Sequence, residues 1–266
     1  LWPRYAGDLG GIWVGGGPTV GFASAQVRFA NGMKVEALEP NLVERNDFLR
    51  RFLDHSGPGP HHLTFKVTDI EMAIAKTEEA GYRPVGVDLS EPQWKEAFLH
   101  PKDAPGVVVQ LAQSKGDWDE APRPASLPSP RTDPPASLIH VAHCVASMDE
   151  ALKLFAGLLG GAEQDRGSSE AFGGSEWVDL AWPGAGVLRL ISPARPDNAP
   201  TRADNALAHW LGGRSGRIHH LHFACSRPRE LAGAKPASGT DGRDPCFEVT
   251  PEDNFGVRLL LDDAGT

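Results

Sequence analysis

Several sequence features are scarce or absent in this chain of 266 residues, and each absence excludes a class of protein. Lysine and arginine number 26 against 35 aspartates and glutamates, and the net charge of −9 excludes nucleic acid and anionic membranes as partners. No apolar run reaches the roughly 18–20 residues that a membrane-spanning helix needs. The sequence also has no G-x-x-x-x-G-K-S/T phosphate loop and no nucleophile elbow, which excludes the enzyme classes built on those motifs.

Cysteine is scarce as well. Cys144, Cys225 and Cys246 are the only three, and none has the paired spacing of a structural zinc site. Each lies in an apolar run. We therefore predict buried free thiols in a reducing compartment, and a cytoplasmic location.

Glycine and proline, by contrast, are abundant, at 30 and 23 residues. This composition favours short strands joined by many turns over a helical protein. One segment, residues 115–136, is rich in proline and charge and poor in apolar residues, which predicts an extended linker. It divides the chain into two predicted domains, residues 1–114 and 137–266.

The two halves repeat each other. The stretch GPGPHHLTF, which ends at Phe65, returns as GRIHHLHF, which ends at Phe223. Likewise PKDAPGVVVQL ends at Leu111 in the first half, and PEDNFGVRLLL ends at Leu261 in the second. Internal duplication of this kind determines the architecture.

Each half divides again into two units that consist of a strand, a helix and two or three further strands. In the unit that starts at His61, HHLTFKV alternates as a strand does. A helix is predicted next, with Asp69 at its start and Gly81 past its end. We therefore predict an α+β fold of tandem paired βαβββ modules with curved mixed sheets and flanking helices. The four units cover residues 1–45, 58–114, 137–196 and 216–263.

The first unit lacks one element of this repeat. The third unit opens with a strand that carries His140 and precedes its helix. The matching strand of the first unit would lie upstream of Leu1. We therefore expect the first strand of the first domain to be absent from the sequence.

This organisation resembles the vicinal-oxygen-chelate superfamily, which includes glyoxalase I, bleomycin-resistance proteins, extradiol dioxygenases and methylmalonyl-CoA epimerase. The resemblance covers nearly the whole chain outside the linker. It is strongest in the first half, where HHLTFKVTDIEMAIAKTEEAGYRPV and AFLHPKDAPGVVVQLAQ look like the epimerase branch. In that family, two βαβββ units form a cupped sheet around one metal ion, whose ligands come from the first and last strands of each unit.

The resemblance implies a metal site in the first half, with Glu36, His62 and Gln110 as ligands and a histidine on the absent strand as the fourth. Because neighbouring side chains of a strand alternate between faces, ligands on four adjacent strands can converge inside the cup. This mixed nitrogen and oxygen set suits Zn, Ni, Co, Mn or Fe(II). Gln110 stands where most relatives have glutamate, and a neutral amide weakens binding. The alternative is that His62 and Gln110 are polar residues of a metal-free ligand pocket.

The second half keeps the histidines of this pattern and loses the other ligands. His140 and His220 match the two strand-opening positions, but Arg189 and Leu260 stand at the other two. A cation opposes metal binding and leucine cannot coordinate a metal, so we expect no metal in this half. Its candidate residues for a polar substrate pocket are His140, Asp179, Arg189, His220 and His222. The alternative is a degenerate module retained for packing.

The catalytic base of the epimerase branch is also replaced. By the resemblance it corresponds to Gln26, whose amide cannot accept a proton, so we predict that the chain is not an efficient methylmalonyl-CoA epimerase. Gln26 remains a substrate-pocket candidate. Glu96 is a nearby carboxylate whose direction the sequence does not give.

Two classes of function follow. The first is a metal-dependent lyase, isomerase or dioxygenase that acts on a small oxygenated metabolite. The second is a non-catalytic protein that binds a small molecule, as bleomycin-resistance relatives do. The expected partners are a small-molecule substrate or ligand and, as a candidate assembly, a second copy of the chain in a homodimer.

Overall fold

The computed structural model describes residues 3–116, 122–169, 175–184, 186–193, 206–237 and 247–264. The first half of this part of the chain contains β1 Ile12–Pro18, β2 Gly21–Arg28, β3 Lys34–Asn41, α1 Phe48–Ser56, β4 His62–Lys66, α2 Ile70–Glu79, β5 Pro84–Asp88, β6 Trp94–Leu99 and β7 Val108–Ser114. The second half contains β8 Ser137–Val145, α3 Met148–Leu152, β9 Ala162–Ser169, β10 Ser175–Ala181, β11 Val187–Ser192, α4 Ala206–Leu211, β12 Gly216–Cys225, β13 Lys235–Pro236, β14 Phe247–Val249 and β15 Leu259–Asp263. Short π-helical segments occupy Pro3–Asp8 and Lys153–Leu158, and 3-10 turns occupy Pro228–Glu230 and Pro251–Asp253.

The local sequence explains why α2 starts and stops where it does. The Asp69 carboxylate accepts a hydrogen bond from the backbone N–H of Met72, which satisfies one of the free donors at the helix N-terminus. At the other end, Gly81 takes a left-handed φ of 86°, which a residue with a side chain adopts at a cost. The helix predicted between Asp69 and Gly81 is therefore present.

The second half forms one sheet of eight strands in the order β13-β14-β15-β12-β8-β11-β10-β9. The first strands of its two units, β8 and β12, pair antiparallel at the centre. Each of them also pairs in parallel with the last strand of its own unit, β8 with β11 and β12 with β15. Two βαβββ units joined through their first strands are the predicted α+β arrangement.

The first half forms two separate sheets instead, in the orders β1-β2-β3 and β4-β7-β6-β5. By the internal repeat, β3 corresponds to β11 and β4 to β12. In the second half those two strands flank β8. Within residues 3–116, no strand occupies the corresponding place between β3 and β4.

The segment predicted as a linker packs against the first unit where the structure describes it. Leu127 and Ala136 are buried in a core that also contains Tyr5. A guanidinium nitrogen of Arg131 lies 2.9 Å from a carboxylate oxygen of Asp8. The second part of this segment is therefore a structural element of the first unit.

Two hydrophobic cores join the halves. One contains Leu99 and Leu111 of the second unit together with Phe155 of the third. The other contains residues of the first and fourth units, and the rings of Phe29 and Phe223 meet there edge to face at 4.8 Å. Both cores thus contain residues of both halves, although each half contributes its own sheets.

Two close backbone contacts complete the junction between the halves, and they are equivalent under the internal repeat. A Cβ atom added to Gly106 would lie 2.0 Å from the carbonyl oxygen of Gly216, and one added to Gly256 would lie 1.8 Å from that of Pro58. Both glycines also have left-handed φ angles, of 72° and 79°. Glycine is required at both positions for the halves to approach this closely.

The remaining predictions on the fold concern the fourth unit and the cysteines. After Cys225 the fourth unit has only the turn Pro228–Glu230 where the other units have longer helices. Cys144 and Cys225 are buried free thiols, as predicted, whereas Cys246 lies outside the described residues. No described helix is both long and apolar enough to span a bilayer.

Candidate functional site

The cup of the first half is lined by alternate residues of β4 and β7. Leu63 and Phe65 of β4 pack into the core, so Thr64 between them points to the opposite face. Thr64 pairs across the strands with Gln110, and its hydroxyl donates a 2.6 Å hydrogen bond to Oε1 of Gln110. Gln110 is buried, so this contact fixes an amide inside the cup.

Glu96 of β6 belongs to the same cup, although the sequence alone left its direction open. One of its carboxylate oxygens accepts 2.7 Å hydrogen bonds from Nε2 of Gln110 and from the indole N–H of Trp94. The sequence carries a signal for this direction. Trp94 and Glu96 are two residues apart on a strand and so share a face, whereas Ala97, which is fully buried, lies on the opposite, core side. Both ends of the Gln110 amide are therefore engaged by neighbouring side chains.

Glu36 approaches this cluster from β3, with Gln26 of β2 directly opposite it in the strand register. Burial raises the pKa of Glu36, and the nearby Glu96 carboxylate raises it further. A hydrogen bond from Ser24 and the charge of Lys66 act in the opposite direction. The cup thus holds two carboxylates close enough to influence each other.

His62 supplies a neutral imidazole. Burial lowers its pKa to about 4, and the neighbouring His61 acts in the same direction. Its Nδ1 lies 3.0 Å from Nδ1 of His61, and a side-chain hydrogen bond with Gln110 acts on the pKa in the opposite direction. His61 itself packs edge to face against Phe52 of α1, with ring centroids 4.7 Å apart.

Lys66 places an amine at the outer end of the same face of β4. Burial lowers the pKa of Lys66 to about 8, and the charge of Lys34 contributes. Its Nζ lies 3.8 Å from the centroid of a Trp94 ring and donates a 3.1 Å hydrogen bond to the hydroxyl of Ser114. Its charge lowers the pKa of Glu36, so the amine acts on that carboxylate across the cup.

The fit of these residues to a metal ion is partial. Among the described residues, no three or more His, Cys, Asp and Glu side chains are grouped closely enough to hold an ion. His62 and Glu36 offer a neutral nitrogen and a carboxylate, while Oε1 of Gln110 already accepts from Thr64. The ligand set of Glu36, His62 and Gln110 therefore stays a prediction, which the described residues alone do not complete.

The second half brings its predicted histidines together in a buried cluster. Nε2 of His140 lies 3.3 Å from Nε2 of His220, and the ring of His222 meets that of His140 edge to face at 4.8 Å. Nε2 of His222 also lies 2.9 Å from a carboxylate oxygen of Asp262. The strand-opening histidines of two neighbouring strands therefore lie in contact, and their role in a substrate pocket stays a prediction.

Arg189 and Asp179 neutralise each other beside this cluster. They are cross-strand partners, and Nε and Nη2 of Arg189 lie 2.8 Å from the two carboxylate oxygens of Asp179. After burial, the Arg189 guanidinium is the next largest cause that lowers the pKa of His140, and it also lowers that of His220. The absence of a metal ion from this half stays a prediction, which the guanidinium beside the histidines supports.

Each half has a pair of adjacent histidines near the start of a strand, and the two members of each pair have different roles. In each half the second histidine faces the cup, and the first packs against an aromatic side chain that lies just before the strand. His219 contacts Trp210 at 4.8 Å, as His61 contacts Phe52. The Nδ1 atoms of His219 and His220 lie 2.8 Å apart, which repeats the contact in the first half. The anchoring role of the first histidine was missed from the sequence.

Comparison with known proteins supports the fold and the family. Residues 13–98 match the family model of the Glyoxalase/Bleomycin resistance protein/Dioxygenase superfamily. A triple mutant of 4-hydroxymandelate synthase from Streptomyces coelicolor aligns with 98% of this chain and 88% of its own, with a TM-score of 0.64 at 12% identity. Methylmalonyl-CoA epimerase from Mycobacterium tuberculosis aligns with 48% of this chain and 87% of its own, with a TM-score of 0.39 at 24% identity.

No curated protein matches the chain by sequence. The likeness to the synthase shows the fold alone, because the identity is low. The family model covers most of the first sheet and continues into β6. The resemblance to the glyoxalase, bleomycin-resistance and dioxygenase superfamily, predicted from the repeated βαβββ units, is therefore confirmed.

Proposed function

We propose that the cup of the first half binds a small oxygenated metabolite together with a divalent metal ion, for a lyase, isomerase or dioxygenase reaction. The observation that carries this proposal is the charge inside the cup. Partial desolvation raises the pKa of Glu36 and the neighbouring Glu96 carboxylate raises it further, although the Glu36 side chain stays accessible to solvent. A bound cation would favour the ionised form of both carboxylates.

Glu36 and His62 would hold the ion, with Gln110 beside them. When bound, such an ion polarises a substrate oxygen as a Lewis acid and stabilises the anion that forms. The chain's own residues have defined parts. Glu96 holds the Gln110 amide and the Trp94 indole in place. The Lys66 amine, which donates to Ser114 here, would donate to a substrate oxygen instead.

The second candidate is a non-catalytic binding protein of the bleomycin-resistance type. It is favoured by Gln26, which lies opposite Glu36 where the epimerase branch has a carboxylate base. The cup of the second half supports it too, because Arg189 and Asp179 satisfy each other there and leave little net charge for a reaction. Under this alternative each cup either binds a small molecule or serves only in packing, and neither catalyses a reaction.

Metal binding by paired variants separates the two candidates. The protein is dialysed against Mn²⁺, Ni²⁺ or Zn²⁺, and the bound metal is measured by elemental analysis and titration calorimetry. We expect His62→Ala to weaken binding at least about 10-fold, since each removed ligand typically costs this much or more. His220→Ala is the matched control, because it removes the equivalent histidine of the other half.

Circular dichroism spectra of both variants show whether each is folded. Binding that survives His62→Ala and disappears in His220→Ala would move the site to the second half. If neither the parent protein nor the His220→Ala control binds metal, the non-catalytic binding protein is the function that remains.

A further inference from the structure

A small cavity of about 260 Å³ opens at the junction of the two halves. None of the residues assigned above to the two cups lines it. Its volume is below the roughly 300–1,000 Å³ of pockets for drug-sized ligands, so an occupant must be a small molecule. Both halves supply polar side chains to the wall, namely Tyr82, Lys102, Asp103, Glu150, Lys153 and Ser215.

The backbone that carries these side chains is held in place by contacts between the halves. The carbonyl oxygen of Pro105, which also lines the cavity, accepts a 2.7 Å hydrogen bond from Nε2 of the buried His143. On the opposite wall, the carbonyl of Ser215 accepts a 2.9 Å hydrogen bond from the N–H of Ala146. The shape of the cavity is therefore set before any ligand binds.

Four charged side chains line the cavity, two ammonium groups and two carboxylates. Within the described part of the chain, none of these four side chains has an ion-pair or hydrogen-bond partner. The exposed ion pairs of α1, by contrast, are closed at 3.0 Å. Opposite charges thus face one cavity without pairing across it.

Two hydroxyl groups lie beside these charges. Burial raises the pKa of Tyr82, and the carboxylate of Glu150 raises it further, which places that carboxylate close to the phenol. Ser215 adds a second hydroxyl from the segment before β12. Both groups can donate or accept hydrogen bonds, so the cavity offers neutral polar partners as well as charged ones.

The other junction between the halves has the same close glycine contact but different side chains. By the internal repeat, Glu252 stands where Lys102 does, and Gly57 stands where Ser215 does. Hydrogen bonds from its own backbone and from Thr250 lower the pKa of Glu252, so this carboxylate is engaged within its own turn. Packing of the halves therefore does not require the charges that surround the cavity.

We propose that this cavity binds a small zwitterion, a molecule with one ammonium and one carboxylate group, of which free amino acids are the common kind. Its carboxylate would pair with Lys102 and Lys153, and its ammonium group with Asp103 and Glu150. An inorganic anion would meet two carboxylates there, and a metal ion would meet two ammonium groups, so neither is favoured. Junctions between domains are frequent places for small-molecule sites.

The affinity should be modest, because the charged side chains are exposed to solvent at the rim. We expect glycine, γ-aminobutyrate or L-glutamine, which differ in length, to bind the metal-free protein with a dissociation constant of about 0.1–5 mM. Saturation-transfer nuclear magnetic resonance and titration calorimetry measure this. Binding by none of the three up to about 10 mM would overturn the proposal.

Paired variants locate the site. The double variant Lys102→Gln, Lys153→Gln removes both cations and should weaken binding of the zwitterion at least about 10-fold, because charge-assisted hydrogen bonds are lost. The matched control, Lys76→Gln with Lys115→Gln, changes the net charge equally outside the cavity and should bind as the parent does. Urea denaturation shows whether both are folded. Equal affinities of the two double variants would exclude this cavity as the site.

The carboxylates are tested by a change of ligand charge. Succinate, which has two carboxylates, should bind the parent protein at least about 10-fold more weakly than the zwitterion does, since Asp103 and Glu150 repel it. The double variant Asp103→Asn, Glu150→Gln should reverse this preference, because only the two lysines then remain charged. Succinate that binds the parent as tightly as the zwitterion, or a preference that this variant leaves unchanged, would contradict the assigned charge pattern.

Discussion

The two halves share a sequence pattern but differ in how their cups are closed. In the second half, β8 joins both units into one sheet, and the ion pair of Arg189 and Asp179 balances its own charge. In the first half, the sheets are separate, and the carboxylates of Glu36 and Glu96 are near enough to influence each other. The same duplicated scaffold thus carries a bidentate ion pair in one half and, in the other, two neighbouring carboxylates with the amine of Lys66 near Glu36.

We expect the largest loss of stability from substitutions at the junction that both halves share. Gly256→Ala and Gly106→Ala would each place a Cβ against a backbone carbonyl, and we expect each to lower the free energy of unfolding by about 4 kcal/mol or more. Urea denaturation measures this. Gly160→Ala is the control, because Gly160 has the same φ as Gly106 but open space around it, so only the backbone cost of about 1–2 kcal/mol applies. Equal losses in Gly106→Ala and Gly160→Ala would show that the close approach does not matter.

The next test concerns the bidentate ion pair of the second half. Arg189→Met leaves the Asp179 carboxylate largely buried without its partner, and we expect a loss of about 3 kcal/mol of stability. The double variant with Asp179→Leu should recover most of it, because neither charge then remains. As a control, Arg50→Met breaks an exposed pair in α1 and should cost less than about 1 kcal/mol. A double variant no more stable than Arg189→Met would contradict the assigned charge balance.

Acid should weaken the junction through His143. Its Nε2 lies 2.7 Å from the carbonyl oxygen of Pro105, and burial lowers its pKa to about 4. The unfolded chain, with a histidine pKa of about 6.5, binds this proton first. The stability contributed by the neutral ring is therefore full above pH 6.5 and falls as the pH drops towards 4, by about 3 kcal/mol in all.

Urea denaturation between pH 7 and pH 4 measures this loss. His143→Gln should flatten the decline, whereas His55→Gln, at an exposed position, should leave it as in the parent protein. Two identical pH profiles would exclude His143 as a source of the acid sensitivity.

A smaller effect on stability is expected at Glu36 of the first half, which lies near a second carboxylate. Because the pKa of Glu36 is raised, its ionised form disfavours the folded state above that pKa. Glu36→Gln should therefore increase stability slightly at pH 8 in metal-free protein, and the gain should disappear as the pH falls to 4. A loss of stability at pH 8 would mean that Glu36 has a cationic partner that outweighs Glu96.

The smallest expected signal is catalytic. Gln26 lies opposite Glu36 and cannot accept a proton, so the parent protein should not exchange the α-proton of methylmalonyl-CoA for deuterium at an enzymatic rate, about 1–10³ s⁻¹. Gln26→Glu restores a base, which is typically worth about 10²–10⁴ in rate. Nuclear magnetic resonance follows the exchange. A parent protein that already exchanges the proton at such a rate would overturn the argument from Gln26.

Much of the fold could be predicted because the repeat is visible in the residues themselves. The alternation of HHLTFKV and the capping residues Asp69 and Gly81 located a strand and a helix that are both present. The choice of His62 over His61 as the ligand came from the family resemblance instead. Glu96 was left open because a single carboxylate on a short strand shows its face only once its register with β7 is known.

The packing of residues from both halves into shared hydrophobic cores could not be predicted in this way. Periodicity identifies which face of an element is apolar, but not which distant element covers it. The contact of Phe29 with Phe223 joins residues from opposite halves, and no local pattern announces it. The same holds for His143, whose partner Pro105 lies across the linker.

The shared cores have a consequence for synthesis of the chain. Phe29 is about 200 residues ahead of Phe223, and translation at about 5–20 residues per second separates their emergence from the ribosome by about 10–40 s. During that interval Phe29 lacks one of its native partners, although Leu127 of the same core emerges earlier. Completion of this core must therefore wait for the fourth unit, and such long-range contacts slow folding and prolong the exposure of apolar side chains.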